Sequence, residues 1–508
     1  MLTDHPKGLS RRDFLALTAG TMSTTALSHL AQAAPIRITS GSFTSLTLRQ
    51  ASDLLRKKDV TSVELTQACL DRIDKYQPVL NAFITVTHEK AIARAREMDD
   101  EIKRRKWRGP LHGIPIALKD NIDTAGVRTT AASALFLERI PSEDAEVVRK
   151  LKMAGAVILG KLNMDEFAVG GSSASTYFKP VHNPWALDRA PSGSSGGSAV
   201  AVASELCFGA LGTDTTGSIR GPASVCGIVG LKPTSGRVSN RGVIPFSWTL
   251  DTVGPMCRTV EDAAIFLQAI AGYDAPDTNS IDSPVPDYAA ATGSSVRALR
   301  IGVPRQQYFD ERDPEVMPLV EEGILILEKL SAGKRDVELP SAIDVSTSLV
   351  QAEAYAYHAN WFTRSPNLYQ PNLRRYLERA SKVSGHDYAV SLHEVHRLRR
   401  EVAKVFENVD IIVTPGRKRL PAKIEDVVKN LASDAIPPPD IGVTQQFSVF
   451  GLPAMSVPCG FTKAGLPVAI QIVGPHWGEA RVLALGHAFE QATEWHKRRP
   501  VINTGVAK

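Results

Sequence analysis

Short apolar segments without polar alternation occur at several places along the chain. Two of them are Ile114 to Leu118 and Ala156 to Leu159, and the second follows a stretch from Glu143 to Ala154 whose apolar residues have helical spacing. A strand that is apolar on both sides is buried on both faces of its sheet, which is typical of sheets lying between two layers of helices. The sequence therefore predicts an α/β fold.

Strand candidates lie in both halves of the chain. The others are Phe208 to Thr213, Leu299 to Val303, Asp410 to Thr414, Ala454 to Pro458 and Leu466 to Val473. A stretch rich in Pro, Asp, Ser and Ala from Tyr273 to Ser295 is predicted as a surface loop, and a helical region is expected between Pro314 and Phe406. Because strands recur on both sides of the loop, we expect one sheet, mixed and largely parallel, with helices on both faces, rather than two independent domains. This single domain would comprise residues 34–508, with most motifs between about 109 and 260.

The composition excludes disorder and gives no sign of a nucleic-acid partner. Apolar residues make up 43% of the 508 residues and charged ones 22%, while 59 Lys and Arg against 54 Asp and Glu leave a net charge of +5. This is the balance of an ordinary globular protein. The basic run from Lys103 to Lys106 stands among acids, so we expect a solvated helix end rather than a phosphate-binding face.

Neither the cysteines nor the histidines have the spacing of a metal site. The five cysteines include no C-x-x-C pair and the 12 histidines no H-E-x-x-H pattern, so neither a metal nor another cofactor is expected. Most of the cysteines have apolar neighbours, and all five are predicted to be free, buried side chains.

The first 33 residues have the pattern of a signal for export rather than of a folded segment. Ser10 to Leu15 contains two adjacent arginines, an uncharged stretch follows from Phe14 to Ile36, and Ala31 to Ala33 offers small residues for cleavage. This segment looks like a twin-arginine signal. Its uncharged stretch is diluted by polar residues and would make a poor permanent membrane span. We therefore expect a periplasmic or secreted protein without an anchor.

Three segments carry residues suited to catalysis: Lys119 at the end of a predicted strand, and two loops, 192–198 and 212–218, rich in Ser, Thr and Gly. Between the loops, Gly197 to Leu206 is predicted as a helix. About ten helical residues extend roughly 15 Å, and the six residues of the returning strand cover roughly 20 Å, so the two loops should meet. Lys119 ends its strand, where ligands bind in sheets of this class. We therefore expect Lys119, Ser194 and Ser218 to share one site.

Glycines in both loops permit close approach of the backbone, and each loop precedes a predicted helix whose free N–H groups favour an anion. Two other interpretations are less favoured. Phosphate binding would call for the G-x-x-x-x-G-K-[ST] pattern, which is missing. Gly193 to Gly197 matches G-x-S-x-G, which would make Ser195 a nucleophile, but that motif needs a strand immediately before it, and residues 183–191 contain two prolines and no strand pattern.

A set of motifs covers most of the chain. They are Gly109 to Pro115, Lys119-Asp120, Asn163 to Phe167, Asn183 to Trp185, the two serine loops, Gly230 to Thr234, Leu250 to Pro255, Gly451 to Ala454 and Gln471 to Gly474. Together they resemble those of the amidase signature enzymes, which are serine hydrolases with a Ser-Ser-Lys catalytic set. The resemblance implies the α/β fold of this family, which agrees with the fold predicted above. It also implies that the protein hydrolyses amides without a cofactor.

The resemblance also implies a role for each residue of the site. Lys119 would be the base, Ser194 a bridging serine held by a cis peptide bond, and Ser218 the nucleophile. Backbone N–H groups would face the oxyanion and a charged pair would brace their loop. The N–H groups are those of Thr215, Thr216, Gly217 and Ser218, and the pair is Asp214 and Arg220.

Two positions depart from the pattern of the family. The usual Gly-Gly pairs before the bridging serine and before the nucleophile are Ser192-Gly193 and Thr216-Gly217 in this chain. Neither change removes a catalytic atom, and what they put in doubt is the width of the pocket. The mechanism also requires Lys119 to be neutral near pH 7 although the reference pKa of lysine is about 10.4. Burial lowers the pKa of an amine, so we expect Lys119 to be buried.

The sequence thus predicts an exported serine amidase that hydrolyses a small carboxamide to a carboxylate and ammonia or an amine. Esters and carbamates present the same carbonyl, so an esterase or urethane hydrolase is an alternative. The glutaminase subunit of a tRNA-dependent amidotransferase has similar motifs, but the export segment and residues 352–358, which resemble simple amidases, disfavour it. A binding protein on an inactive scaffold is disfavoured because Lys119, Ser194 and Ser218 are all present. The oligomeric state is open, a homodimer being one option.

Overall fold

The structure is a computed structural model that describes residues 40–309, 313–342, 345–432 and 442–503. The export segment predicted at residues 1–33 lies outside the described residues. From Ser40 onward the chain forms one unit, and the strands on either side of the stretch from Tyr273 to Ser295 belong to the same sheet. The α/β class and the single shared sheet are therefore confirmed.

The sheet has eleven strands within the described ranges. They are β1 Phe83–Val86, β2 Pro115–Lys119, β3 Val157–Leu162, β4 Gly209–Asp214, β5 Val229–Lys232, β6 Thr252–Cys257, β7 Ile301–Val303, β8 Lys334–Asp336, β9 Ile411–Pro415, β10 Ala454–Phe461 and β11 Pro467–Val473. Their spatial order is β1-β3-β2-β4-β6-β5-β10-β11-β9-β7-β8.

Sixteen α-helices occur in the same part of the chain. They are α1 Leu48–Lys57, α2 Ser62–Leu80, α3 His88–Lys103, α4 Glu146–Met153, α5 Gly196–Ala203, α6 Arg220–Cys226, α7 Val260–Ile270, α8 Tyr288–Ala291, α9 Arg305–Tyr308, α10 Val316–Leu330, α11 Val345–Arg364, α12 Pro371–Ala380, α13 Gly385–Glu401, α14 Ile424–Ala432, α15 Gly442–Val449 and α16 Glu479–Gln491.

The sheet is mixed as expected, but the expectation that it is largely parallel is wrong. Four of the ten neighbouring pairs are parallel, namely β2 with β3, β2 with β4, β7 with β8 and β7 with β9, and six are antiparallel. A parallel pair needs a long crossover connection. The strands β10 and β11 are joined by residues 462–466 alone, which is long enough only for a hairpin.

The sheet is buried on both faces over most of its width. Every residue of β2, β4, β5, β6, β9 and β11 is buried, and successive side chains of a strand point to opposite faces. Helices therefore cover both faces: α5 packs against β2 and β4, and α6 and α16 pack against β10 and β11. All five cysteines are free and buried in this interior, as the sequence predicts.

The first helices show how local sequence sets their boundaries. The hydroxyl of Thr61 accepts the N–H of Glu64, and the Glu64 carboxylate accepts the N–H of Thr61, which together form a capping box at the start of α2. Thr47 and Gln50 do the same for α1. Both helices therefore begin at the residue that follows a capping threonine.

A short helix and a strand carry the two serine loops to the same edge of the sheet. The helix α5 begins directly after Ser195, and β4 returns and ends at Asp214. All eight residues of α5 are buried. A Cβ atom at Gly197 would lie 2.3 Å from the backbone oxygen of Asn163 and 2.6 Å from that of Ala82, so α5 packs here at the distance that only glycine allows.

No helix among the described residues is long and apolar enough to cross a membrane.

The contact at Gly197 predicts a large difference between two exchanges of glycine for alanine in helices. We expect Gly197→Ala to lower the free energy of unfolding by about 1–3 kcal/mol, because the added methyl group meets backbone atoms that no side-chain rotation can move. Gly385→Ala is the matched control, since a Cβ atom at this exposed position in the first turn of α13 has no neighbour within 4 Å. It should leave stability equal or slightly higher. Urea unfolding of both variants measures the difference, and equal losses would contradict the packing argument.

Candidate active site

Lys119 is the last residue of β2, and its side chain is completely buried. Its Nζ atom lies 2.7 Å from Ser194 Oγ and 2.8 Å from Thr213 Oγ1, with the geometry of hydrogen bonds donated by the amine. The structure thus brings the predicted base and the predicted bridging serine into direct contact. Thr213 is a further partner of the amine that the sequence does not single out.

The surroundings of Lys119 favour a neutral amine. Burial lowers the pKa of Lys119 to about 7, although the carboxyl groups of Asp165, Asp251 and Asp214 act in the opposite direction. A proton acceptor works best when its pKa lies close to the pH of the reaction. The expectation that Lys119 is buried is therefore confirmed.

Two other buried lysines show that burial alone does not define a base. Burial also lowers the pKa of Lys161 to about 8 and that of Lys232 to about 7, the latter with help from the positive charge of Arg220. Lys161 bonds to Ile122 O and Thr129 Oγ1, and Lys232 to the backbone of Pro233. Of these three lysines, only Lys119 contacts a serine hydroxyl.

Ser194 follows a cis peptide bond between Gly193 and Ser194, as the resemblance implies. Its side chain is fully buried. The backbone oxygen of Ser194 accepts the N–H of Asp165 at 3.3 Å and the hydroxyl of Ser173 at 3.4 Å. Hydrogen bonds of both its side chain and its backbone therefore hold Ser194 in place.

Asp165 contacts Ser194 and also residues 172–175, which follow Asp165 in the sequence. Its buried carboxylate accepts the N–H groups of Ser172 at 3.1 Å and Ser175 at 3.3 Å. Burial raises the pKa of Asp165 to about 6 against the effect of these bonds and of Lys119. The sequence places Asp165 in a motif but assigns it no role, whereas the structure makes it the main carboxyl group acting on Lys119.

The two serine loops meet as predicted. Ser195 N–H donates to the backbone oxygen of Ser218 at 3.2 Å. Ser195 Oγ donates to Thr213 O at 3.1 Å and accepts the Thr213 N–H at 3.3 Å. Ser195 therefore joins the two loops through both its backbone and its hydroxyl. The hydroxyl groups of Ser194 and Ser218 share no direct hydrogen bond, and the two residues are linked through this neighbouring backbone.

Residues 215–218 present unused hydrogen-bond donors beside Ser218. Among the described residues no acceptor takes the backbone N–H groups of Thr215, Thr216, Gly217 or Ser218. Ser218 is 6% exposed, so a small group can reach it. The N–H groups at the start of α6, those of Ile219, Arg220 and Gly221, already donate to Asp214 and Gly217, so the N–H groups of the loop are the ones available to an anion.

Asp214 and Arg220 form a buried ion pair around this loop. Arg220 Nε and Nη2 donate to the two carboxylate oxygens of Asp214 at 2.9 and 2.8 Å. Burial acts to raise the pKa of Asp214, but the charge and hydrogen bonds of Arg220 hold it below its usual value. The carboxylate also accepts the N–H of Ile219 at 3.1 Å. The pair therefore encloses the loop that holds Ser218.

The two departures from the glycine pattern have different backbone conformations. Ser192 has a φ of 62°, which is in the left-handed region that favours glycine. Its hydroxyl donates to Gly171 O at 3.3 Å and accepts from Arg417 Nη1 at 2.5 Å. Thr216 is not among the described residues with positive φ, so its Cβ atom is compatible with the loop conformation.

No group of three or more His, Cys, Asp or Glu side chains suited to a metal ion occurs in the described part of the chain.

Comparisons with known proteins give one family for most of the chain. The sequence model of the family described as Amidase matches residues 64–483. A glutamyl-tRNA(Gln) amidotransferase subunit from Moorella thermoacetica is 42% identical over 492 residues, which cover 91% of this chain and 99% of that protein.

Solved structures include both simple amidases and amidotransferase subunits. Peptide amidase from Stenotrophomonas maltophilia is 32% identical with a TM-score of 0.79, covering 91% of this chain and all of that one. The corresponding glutamyl-tRNA(Gln) amidotransferase subunit from Thermotoga maritima is also 32% identical, with a TM-score of 0.75, and the match covers 91% of this chain and 99% of that one. The matched residues include every residue of the site from Lys119 to Arg220. The chain therefore belongs to the amidase family, and it is an enzyme that hydrolyses amide carbon–nitrogen bonds.

Proposed function

We propose that the chain is a serine amidase that works through an acyl-enzyme on Ser218 and releases a carboxylate and ammonia or an amine. One observation carries the proposal: the Nζ atom of the fully buried Lys119 lies 2.7 Å from Ser194 Oγ. An amine with a pKa of about 7 is neutral in a large fraction of molecules at pH 7 and can accept a proton. Catalysis of this kind needs no histidine.

In the proposed acylation, Lys119 takes the proton of Ser194 while Ser194 takes that of Ser218, after the two hydroxyls, which are not hydrogen-bonded in the free chain, come into contact around the substrate. The oxygen of Ser218 then attacks the carbonyl carbon of the amide. The N–H groups of residues 215–218 stabilise the negative charge that develops on the carbonyl oxygen. The relay next runs in the opposite direction, so that the leaving nitrogen receives the proton and the C–N bond breaks.

In the proposed deacylation, water takes the place of the leaving amine. The same two side chains, Lys119 and Ser194, remove a proton from the water, whose oxygen attacks the ester carbonyl of the acyl-enzyme. Collapse of the second oxyanion breaks the bond to Ser218 and returns the proton to its oxygen. The products are a carboxylate and the free enzyme.

A second candidate function is that of an amidotransferase component. The identity of 42% with the Moorella thermoacetica amidotransferase protein favours it. The proposed export segment at residues 1–33 favours a hydrolase that acts alone in the periplasm or outside the cell, away from tRNA. We therefore propose the independent amidase as the main function, with a small-molecule amide as substrate.

We expect substitution of Lys119, Ser194 or Ser218 to give an inactive but folded variant in each case. We expect Ser218→Ala and Ser194→Ala to lower kcat by about 10³-fold or more and Lys119→Met by about 10²–10⁴-fold, because each removes an atom of the proton relay. Released amine measures activity, and a fluorophosphonate should label the native chain but not Ser218→Ala.

Two variants are matched controls for these losses. Ser198→Ala removes a buried hydroxyl of α5 that donates to Leu211 O, and it should keep most of the activity. Lys161→Met removes another fully buried lysine and should lower stability more than kcat. Near-normal turnover by Ser218→Ala would contradict the assignment.

The pKa of Lys119 predicts the acidic limb of the pH profile. Only the neutral amine accepts a proton, so kcat/KM should fall about tenfold per pH unit below pH 7 and level off above it. The negative charges of Asp165, Asp251 and Asp214 raise the pKa of this amine and partly offset its burial. Asp165→Asn removes the main negative charge that favours the ammonium form, and it should move the limb to lower pH.

Glu166→Gln is the control for that shift. It removes the neighbouring buried carboxyl group, whose partners are the hydroxyl of Ser133 and the N–H of Gln370, so the limb should stay in place. A maximum of kcat/KM near pH 4 in the native enzyme would rule out a lysine base.

A substrate panel distinguishes the candidate functions. With one common acyl group, we expect the purified chain alone to hydrolyse the amide with a kcat/KM at least equal to that for the ester and the carbamate. A strong preference for the ester or carbamate would instead indicate an esterase or urethane hydrolase. Hydrolysis of glutamine alone, and only after addition of the other amidotransferase components, would establish the second candidate.

A further inference from the structure

A threonine far away in sequence contacts the loop that holds Ser218. Thr444 lies in the first turn of α15, and its hydroxyl donates to the backbone oxygen of Thr216 at 2.7 Å. The next residue, Gly217, packs directly against the same side chain. A Cβ atom at Gly217 would lie 2.1 Å from Thr444 Oγ1, and the φ of Gly217 is 135°, in the region that favours glycine.

The hydrogen bond to Thr216 O determines where the N–H of Gly217 points. The two groups belong to one peptide unit, which is planar, and in a trans peptide they point in opposite directions. The only cis peptide in the described residues is the one before Ser194. Holding the oxygen against Thr444 on one side therefore directs the N–H of Gly217 to the other side, where it has no acceptor in the described chain.

Because residue 217 is glycine, the peptide unit between Thr216 and Gly217 needs the hydrogen bond from Thr444 to keep its orientation. A peptide unit next to glycine can turn over through linked rotations of the ψ before it and the φ after it, at little steric cost. After such a turn, the carbonyl oxygen of Thr216 would replace the N–H donor and repel a negative charge. The hydroxyl of Thr444 stabilises one of these two orientations.

Thr444 is itself held in place by the buried ion pair. Arg220 Nη1 donates to Thr444 O at 2.9 Å and to Gln471 Oε1 at 2.8 Å, while Nη2 donates to Ser448 Oγ at 2.7 Å. The same guanidinium binds Asp214, the residue before the loop. The first turn of α15 and the loop are thus fixed to one charged group.

We propose that Thr444 is a positioning residue that orients the N–H of Gly217 towards the oxyanion formed during amide hydrolysis. The inference rests on the proposed function, because it assumes that the N–H groups of residues 215–218 bind that oxyanion. The negative charge is present in the transition state and absent from the bound substrate. Loss of the hydroxyl should therefore act on kcat and spare KM.

Three variants of the full-length chain test the role of the hydroxyl. Thr444→Val keeps the shape of the side chain, removes the donor, and should lower kcat about 10–100-fold with KM changed less than about threefold. Thr444→Ser keeps the donor and should stay within about threefold of the native kcat. Thr66→Val is the matched control, since it makes the same exchange at a buried hydroxyl of α2 that has no hydrogen-bond partner in the described structure. It should leave kcat unchanged.

A second measurement, inhibition by an analogue of the tetrahedral intermediate, tests the binding of the oxyanion. A trifluoromethyl ketone adds to the serine and forms a tetrahedral oxyanion, whereas the carboxylate product does not. Thr444→Val should weaken inhibition by the ketone about tenfold or more and leave inhibition by the product unchanged. Equal weakening of both inhibitors, or an equal loss of kcat in Thr444→Ser and Thr444→Val, would overturn the proposal and indicate a purely structural role.

The outcome also separates this inference from the proposed function. If the native chain hydrolyses amides and its Ser218 is labelled by a fluorophosphonate, but Thr444→Val has native kcat and native inhibition by the ketone, only the role of Thr444 is wrong. If the native chain is neither active nor labelled, the proposed function itself fails.

Discussion

The site depends on an amine that has been removed from water without receiving a charged partner in direct contact. Lys119 has hydroxyl neighbours, Ser194 and Thr213, and no carboxylate oxygen of the described residues lies within ion-pair distance of its Nζ. The nearby carboxyl groups act at longer range and only partly offset the effect of burial. This balance requires the end of β2 to be closed by the two serine loops, because water at Nζ would restore the ammonium form. The fold therefore sets the chemistry of the lysine by covering it.

The loop that holds Ser218 is itself held by parts of the chain that are far from it in sequence. Arg220 lies two residues after Ser218 and donates to groups on α15 and β11, more than 220 positions away. The strand β11 pairs with both β10 and β9, so these contacts connect the loop to the far half of the sheet. A buried arginine is stable only when its donors are paired, and here the partners come from both halves. Both halves of the chain thus hold the loop in place, although all the site residues predicted from the sequence lie in the first half.

Local patterns allowed most of this arrangement to be predicted from the sequence. Continuous apolar runs identified β2, β3, β4 and β9 to β11, and the spacing of apolar residues identified α4. The strands β5 and β6 were missed because they lie in motifs rich in Gly, Pro and Lys, where burial comes from neighbouring strands rather than from their own composition. The same two strands contribute to the antiparallel majority. Lys119, Ser194 and Ser218 were found because each stands in a distinctive motif. Thr444 could not be found, because a single hydroxyl seven residues before Gly451 has no local signal.

The likeness to both amidases and amidotransferase subunits has a physical reason. Cleavage of an amide begins with attack on its carbonyl whatever the later fate of the nitrogen, so one arrangement of lysine, serines and N–H donors suits both kinds of protein. What must differ lies outside that set, in the groups that recognise the acyl chain and in what happens to the released nitrogen. In this chain Ser192 replaces a usual glycine, keeps a glycine-like φ and contacts Arg417 beyond β9. This replacement adds a side chain and a cation two residues before Ser194, while the contact between Ser194 and Lys119 is kept.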